Sequence, residues 1–377
     1  MAKPLIIGVD IRNLKVAKTG IKTYLEELYR EFINMNNGNL QFRFLDTSIP
    51  IYNGKNKPLK WIEHFRYQFW KQLVLPVKAW RNKCDIVFCA DGCVPFIHLG
   101  YKTVPTIHDA FCFESPEQYG RLWLWSYKNT VIPGARRSPF LISVTSHSKK
   151  QISHFMEIDP EKIIVIYEGQ KIIDQAISGN GTSILESYQI TSDYILHVGS
   201  MFKRKNIVAL IQAFSKIKKT GHYPDLKLVL AGPLPSNKLE NDHELILRAI
   251  GIAELKSEVI ITGYLTDQEI GELYKNALLY VFPSVNEGFG LPVLEAFENN
   301  LPVLVADNTC LPEVGGNAVL TFNPFDIDDL FNKIKIVLDN PELRQKMIKK
   351  GQERLKDFSW HKTALQIVDV FKKAASA

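Results

Sequence analysis

Ten apolar runs of strand length, in two successive series and separated by segments of helical composition, constrain this 377-residue chain more than any other feature. The first series reads LIIGVD at 5–10, FRFLD at 42–46, DIVFCA at 85–90, VPTIHD at 104–109 and FLISVT at 140–145. The second reads YILHVG at 194–199, LKLVLAG at 226–232, VIITGY at 259–264, LLYVFP at 278–283 and PVLVAD at 302–307. Strands and helices in alternation build a parallel, doubly wound α/β sheet, here formed twice. Length agrees, because single cores stop growing at about 250–300 residues. A polar stretch without periodicity at 170–192 reads as the linker. The expected division is 1–180 and 181–358, with a last helical pattern over about 359–377.

A hydrophobic content of 46% with 23% charged residues is that of an ordinary folded protein. Apolar runs such as 5–9 and 278–282 fall far short of the roughly 20 residues of a spanning helix, so neither a transmembrane segment nor a signal peptide is expected. The five cysteines (Cys84, Cys89, Cys93, Cys112 and Cys310) are odd in number and lack paired CxxC spacing. They read as reduced, packed thiols of a cytoplasmic protein, neither a disulfide framework nor a zinc site.

Charge is uneven. Residues 1–180 carry a net +8 and the remainder a net −2. Much of the excess lies in 54–83, with eight Lys or Arg, one Glu and six aromatic residues. If helical, this segment aligns Trp61, Phe65 and Phe69, with Trp70, Leu73 and Val77 close by. A basic face beside exposed aromatics fits an anionic membrane surface; the same stripe also fits the domain's own sheet, with the lysines simply solvated. Nucleic acid is not expected, since no binding module accompanies the charge.

Candidate chemistry gathers where strands end, the edge at which open α/β sheets bind ligands. The run 278–284 feeds EGFGLPVLE at 287–295. A turn through Gly288, Phe289 and Gly290 leads into a helix at Leu291, whose first N–H groups can face a diphosphate. Glu287 sits on the turn. Glu295, one to two helical turns further in, can accept hydrogen bonds from vicinal hydroxyls such as a ribose's. The bland alternative is a solvated helix start with a favourable carboxylate. In FKRKN at 202–206, Arg204 and Lys205 follow a strand and precede a helix, so they either meet phosphate or form a solvated charge run. Gly20 and Ile21 open the first helix, as a ligand-approach glycine or an ordinary helix start. His108 ends a strand beside Asp109, which is expected to orient its ring. The Asp326-Ile327-Asp328 triplet formally matches a metal-binding DxD, but its place at a helix start favours capping.

The stretch ITGYLTDQEIGELYKNALLYVFPSVNEGFGLPVLEAFENNLPVLVADNTCLPEVGG at 261–316 resembles the donor-binding half of family four of the retaining nucleotide-sugar glycosyltransferases. The resemblance continues in HVGSMFKRKNIVALIQAF (197–214), LVLAGP (228–233), KTGIKTYLEEL (18–28) and TIHDAFCFESPE (106–117), and so covers nearly the whole chain. It implies the GT-B fold: two Rossmann-like domains, the first acceptor-binding, the second nucleotide-sugar-binding, with the last helix returning to the first. It implies catalytic roles for His108, Lys205 and Glu287. Donor contacts are implied from Gly20, Ile21, Arg204, Gly288, Phe289, Gly290, Leu291 and Glu295, and nucleobase contacts from Gly263 and Tyr264.

The implied reaction moves a hexose, with GDP-mannose the favoured donor, to a glycan or lipid-linked acceptor in surface polysaccharide synthesis. It retains anomeric configuration and needs no cofactor or metal. The implied location is the cytoplasm, at the inner face of the plasma membrane if 54–83 touches it. A nucleotide-sugar epimerase and a catalytically silent nucleotide-sugar-binding protein are the competing readings. Two departures from the family pattern stand out: Lys22 replaces the usual second glycine of the first loop, and Glu168-Gly169 stands where Asn-Gly is usual.

Overall fold

The computed structural model describes residues 3–16, 20–48, 51–52, 54, 57–171, 183–233 and 242–377. They fall into two compact units, Met1–Gly169 with Phe358–Ala377, and Gln170–Asp357. Each unit holds one six-stranded parallel sheet.

In the first unit the strands are β1 (Leu5–Asp10), β2 (Leu40–Leu45), β3 (Ile86–Cys89), β4 (Lys102–Ile107), β5 (Leu141–Ser143) and β6 (Ile163–Val165), in the order β2-β1-β3-β4-β5-β6. Ile7, Val9, Phe88 and Val104 are wholly buried, as a sheet covered on both faces requires. The helix Gly20–Asn34 buries a stripe of Tyr24, Leu25, Leu28 and Phe32. The last helix, Trp360–Ser376, packs beside it: the ring of Phe371 lies 6.2 Å from Phe32 and 5.4 Å from Phe88. Truncating Phe371 to alanine would cost about 3–5 kcal/mol on the scale of buried aromatics.

The basic aromatic segment is helical but changes phase. Helix Lys57–Phe69 passes through a π turn, Trp70–Val74, into helix Leu75–Arg81. Trp70, expected near the stripe, is fully buried, with its indole N–H donating to Asp10 Oδ1 at 3.1 Å. Phe65, Phe69, Leu73, Val77 and Trp80 remain exposed, Phe65 by 78% and Trp80 by 60%. The expected covering of this stripe by the domain's own sheet is therefore not found for these residues. The side chain of Trp61 lies outside the described residues.

The second unit has β7 (Tyr194–Val198), β8 (Lys227–Ala231), β9 (Val259–Gly263), β10 (Leu279–Phe282), β11 (Val303–Ala306) and β12 (Leu320–Phe322), in the order β12-β11-β10-β7-β8-β9. Ile195, Leu228, Val281 and Leu304 join one buried cluster with the helix Ile207–Lys219, through Leu210, Ile211 and Phe214. The edge strands β6 and β12 were not among the ten apolar runs. Of the expected linker at 170–192, residues 172–182 lie outside the described residues, and Ile184–Ser187 forms a short helix capped by Ser183. Asp326 caps the helix Ile327–Asp339, its Oδ1 accepting from the Asp328 and Asp329 N–H groups at 2.9 and 3.1 Å. Capping thus accounts for this aspartate.

Candidate functional site

In the second unit the chain winds outward from β7 through β8 to β9, then returns to the other side of β7 as β10. The carboxyl ends of β7 and β10 are therefore neighbours at a point where winding reverses, the place where such sheets open a ligand crevice. The loop after β7 forms a 3-10 turn, Lys203–Lys205, ended by Asn206 in the left-handed region with φ 55°. The loop after β10 is stitched to it: the Val285 N–H donates to the Arg204 carbonyl at 2.8 Å, and the Ser284 hydroxyl lies 3.0 Å from the same oxygen.

This stitching brings Lys205 Nζ to 2.6 Å from Glu287 Oε1, with the Ser284 hydroxyl against the same carboxylate. Lys205 is 8% exposed, so it is not part of a solvated charge run, although Lys203 is exposed. Burial lowers the Lys205 pKa from its ordinary value against the pull of Glu287. Burial works against the charge of Glu287 too, but Lys205 and Arg204 outweigh it and hold that carboxyl below the usual range. The pair lies in a poorly hydrated setting, where electrostatic forces on a ligand are strongest. Arg204 stacks its guanidinium over the Phe202 ring at 4.5 Å, and the Lys205 ammonium lies 4.6 Å from the Phe282 ring centre.

Below the turn, the Cys310 thiol donates toward the carbonyls of Glu287 and Phe289 at 3.1 and 3.3 Å. Gly290 has φ +101°, and a Cβ there would stand 2.5 Å from Leu311 Cδ2, so only glycine fits where the helix Leu291–Glu298 begins. Within that helix, Glu295 Oε2 accepts from the Tyr274 hydroxyl at 3.1 Å. Burial raises the Glu295 pKa, and Lys171 and the tyrosine pull the other way. Gly263 ends β9, and Tyr264 follows it with its ring 78% exposed.

In the first unit, His108 follows β4. Its Nε2 is 3.0 Å from the Ala90 carbonyl and its Nδ1 is 3.3 Å from Glu168 Oε1; the ring meets Tyr24 edge-on at 4.9 Å. Asp109 does not orient the ring as expected: its Oδ1 accepts the Phe111 N–H at 3.0 Å, a local turn bond that uses the carboxylate elsewhere. Glu168, 4% exposed, takes that place. Burial works against charge on His108, yet Glu168, the Ala90 carbonyl and Asp109 together raise its pKa above the ordinary histidine value. Gly20 and Ile21 open the helix Gly20–Asn34, with Gly20 exposed and Ile21 half-buried.

A second cluster was not anticipated. Lys71 is 1% exposed and lies 2.6 Å from Asp10 Oδ2 and 2.7 Å from Asp91 Oδ1. Asp91 also accepts from the Tyr67 hydroxyl at 2.9 Å and the Asn13 amide at 2.7 Å. Asp10 ends β1 and Asp91 follows β3, neighbours where the first sheet reverses its winding. Burial opposes the Lys71 charge, but Asp10 and Asp91 more than offset it and raise its pKa. The available signal was an aspartate at the end of each of two apolar runs. Their partner could not be read off, because the 54–83 lysines look alike in sequence.

Residues 186–354 match the family model described as Glycosyl transferases group 1. The chain is 27% identical over 276 residues to O-antigen chain mannosyltransferase B of Escherichia coli, covering 72% of this chain and 70% of that protein. It is 26% identical to O-antigen chain mannosyltransferase RfbU of Salmonella typhimurium, covering 76% and 72%. The match to the E. coli serotype-specific mannosyltransferase WbdA, at 27% identity, covers 74% of this chain but only 34% of that longer protein. Among solved structures, sucrose-phosphate synthase of Thermosynechococcus elongatus superposes with TM-score 0.72 at 16% identity, covering 98% of both chains. HepE of Anabaena in complex with UDP-glucose gives TM-score 0.68 at 16% identity, covering 98% of this chain and all of that one. These likenesses show the two-domain GT-B fold.

Proposed function

We propose, from the match of residues 186–354 to the glycosyl transferases group 1 model, that this chain is a retaining hexosyltransferase of surface polysaccharide synthesis, with GDP-mannose as donor. The observation that carries the proposal is the buried Lys205–Glu287 pair at the winding reversal of the second sheet, beside the turn at Gly288–Gly290. In this reading Lys205 and Arg204 neutralise the diphosphate, Glu287 holds hydroxyls of the sugar, and Glu295 holds the ribose. The backbone of Gly288, Phe289, Gly290 and Leu291 lines phosphate and sugar, and Gly263 and Tyr264 adjoin the base. Gly20 and Ile21 are the first unit's donor contacts in this reading, and His108 is its catalytic residue. The O-antigen mannosyltransferase relatives support mannose and a glycan acceptor, while the UDP-glucose complex of the structural neighbour supports nucleotide sugars as a class.

In the transfer, the bond from the anomeric carbon to the diphosphate oxygen breaks as the bond to the acceptor oxygen forms on the same face. The acceptor proton passes to the departing phosphate. Negative charge grows on that phosphate, so Lys205 acts chiefly in the transition state. The reaction so written needs no metal. The exposed stripe Phe65, Phe69, Leu73, Val77 and Trp80, in a segment rich in Lys and Arg, is proposed to rest on an anionic membrane where a lipid-linked acceptor resides.

Thermal unfolding against a panel of nucleotide sugars tests the donor. A ligand at 100 times its Kd adds about 2.7 kcal/mol, a shift of several degrees, and GDP-mannose is expected to give the largest. Stabilisation by none would overturn donor binding. Product released with inverted anomeric configuration would overturn the retaining mechanism.

A further inference from the structure

His108 is held by two acceptors. The Ala90 carbonyl can only accept, so its 3.0 Å contact requires a proton on Nε2. A bare Nδ1 facing a carboxylate oxygen at 3.3 Å would set two lone pairs against each other, so that contact holds a proton as well, and with Glu168 ionised the proton sits on Nδ1. The charged groups facing the ring are Glu168, from the segment after β6, and Asp109, next in the chain; the helix Gly20–Asn34 contributes only the uncharged Tyr24 edge. Glu168 itself is fixed in place. A Cβ on Gly169 would stand 2.3 Å from the Trp360 nitrogen, and Thr363 donates to the Tyr167 carbonyl at 2.7 Å, so the residues on either side of it are clamped to the last helix.

We propose that Glu168 is a positioning residue that keeps His108 as a doubly protonated imidazolium, so that His108 serves the transfer as a fixed cation and not as the base that accepts the acceptor's proton. The role in transfer rests on the function proposed above; the protonation state of the ring does not. Saturating both nitrogens removes the histidine as a competing base and leaves proton transfer to the leaving phosphate. It also adds a positive charge that a neutral amide at position 168 would support less well, since Asp109 would then be the one acidic group facing the ring among the described residues. A structural carboxylate would fix the ring just as well, but it would leave the pH dependence of kcat untouched.

The test has two readouts on the full chain. Imidazole nitrogen NMR at neutral pH, without any nucleotide sugar, is expected to show His108 protonated at both nitrogens. In Glu168→Gln its titration should move down by about one pH unit or more, and Glu168→Asp should restore part of the shift. A neutral ring with one bare nitrogen in the unsubstituted chain overturns the proposal, whether or not any variant folds. With a donor in hand, the alkaline limb of the kcat–pH profile should follow the NMR titration downward in Glu168→Gln, with donor KM little changed. A titration that moves while the kcat profile stays fixed overturns the functional half alone. Lack of turnover with every donor would defeat the proposed function and leave the NMR result to decide the role of Glu168.

Discussion

Replacing Lys205 by methionine separates the two tasks assigned to it. At 2.6 Å and an effective dielectric constant of about 20, its attraction to Glu287 is about 6 kcal/mol before desolvation. The side chains are only 10% and 12% exposed, so burial takes back much of that sum. Removing one partner leaves the other charge buried, and Lys205→Met and Glu287→Gln are each expected to cost about 3 kcal/mol. At about 2–4 °C per kcal/mol, each lowers Tm by about 6–12 °C. Together they should cost about 2 kcal/mol less than the sum of the single changes, the signature of a direct pair. Urea titration of the four proteins measures this coupling, and additivity within about 0.5 kcal/mol would refute the pairing. Steady-state kinetics reads the other task. Loss of a cation that faces the leaving diphosphate should lower kcat by about 100- to 1,000-fold. A raised donor KM with kcat intact would show that Lys205 binds the ground state and the transition state alike, against the reasoning here.

Gly290→Ala is expected to destabilise by at least about 2 kcal/mol, since it combines φ +101° with a 2.5 Å approach to Leu311. Gly221→Ala, at φ +74° with open space around it, should cost about 1 kcal/mol, and equal losses in chemical unfolding would contradict the packing argument. His197 is wholly buried and its pKa is lowered by burial from 6.5 to about 4. A histidine depressed in this way adds stability that is full above pH 6.5 and is lost as pH falls through about 4, here about 3 kcal/mol. Urea midpoints should therefore fall across that window more steeply for the native chain than for His197→Gln. Phe65→Glu with Trp80→Glu should reduce sedimentation with anionic vesicles at least tenfold and leave Tm within about 2 °C; undiminished binding would remove the stripe from membrane contact.

Both sheets were legible because eight of the ten strands that match the apolar runs are wholly or mostly buried, and LLYVFP and PVLVAD needed no context to be read. The edge strands β6 and β12 have three residues each and are only partly buried, unlike the equally short but wholly buried β5, so they carry no apolar run. Glu168 stood out in sequence only as a departure from Asn-Gly; its contact with His108 was not readable, since it joins the ends of two different strands. Lys205 and Glu287 were readable as loop residues after strands, because position at a sheet edge follows from strand order. Their pairing with one another was not readable, since 82 residues of chain separate them. Asp326 was readable as a cap because its partners are two and three residues away.

The five residues Trp70–Val74 complete a turn that an α-helix would close with fewer, so the chain carries one surplus residue midway along an otherwise continuous helical rod. That surplus acts as a phase setter. An α-helix turns about 100° per residue, so deleting one residue there would swing Leu75 and Ala79 out of the interior and bring Val77 and Trp80 round toward it. Over this rod the length of the chain is therefore as constrained as its composition: single-residue deletions at 70–74 should be tolerated far less well than substitutions at the exposed Phe65 or Leu73.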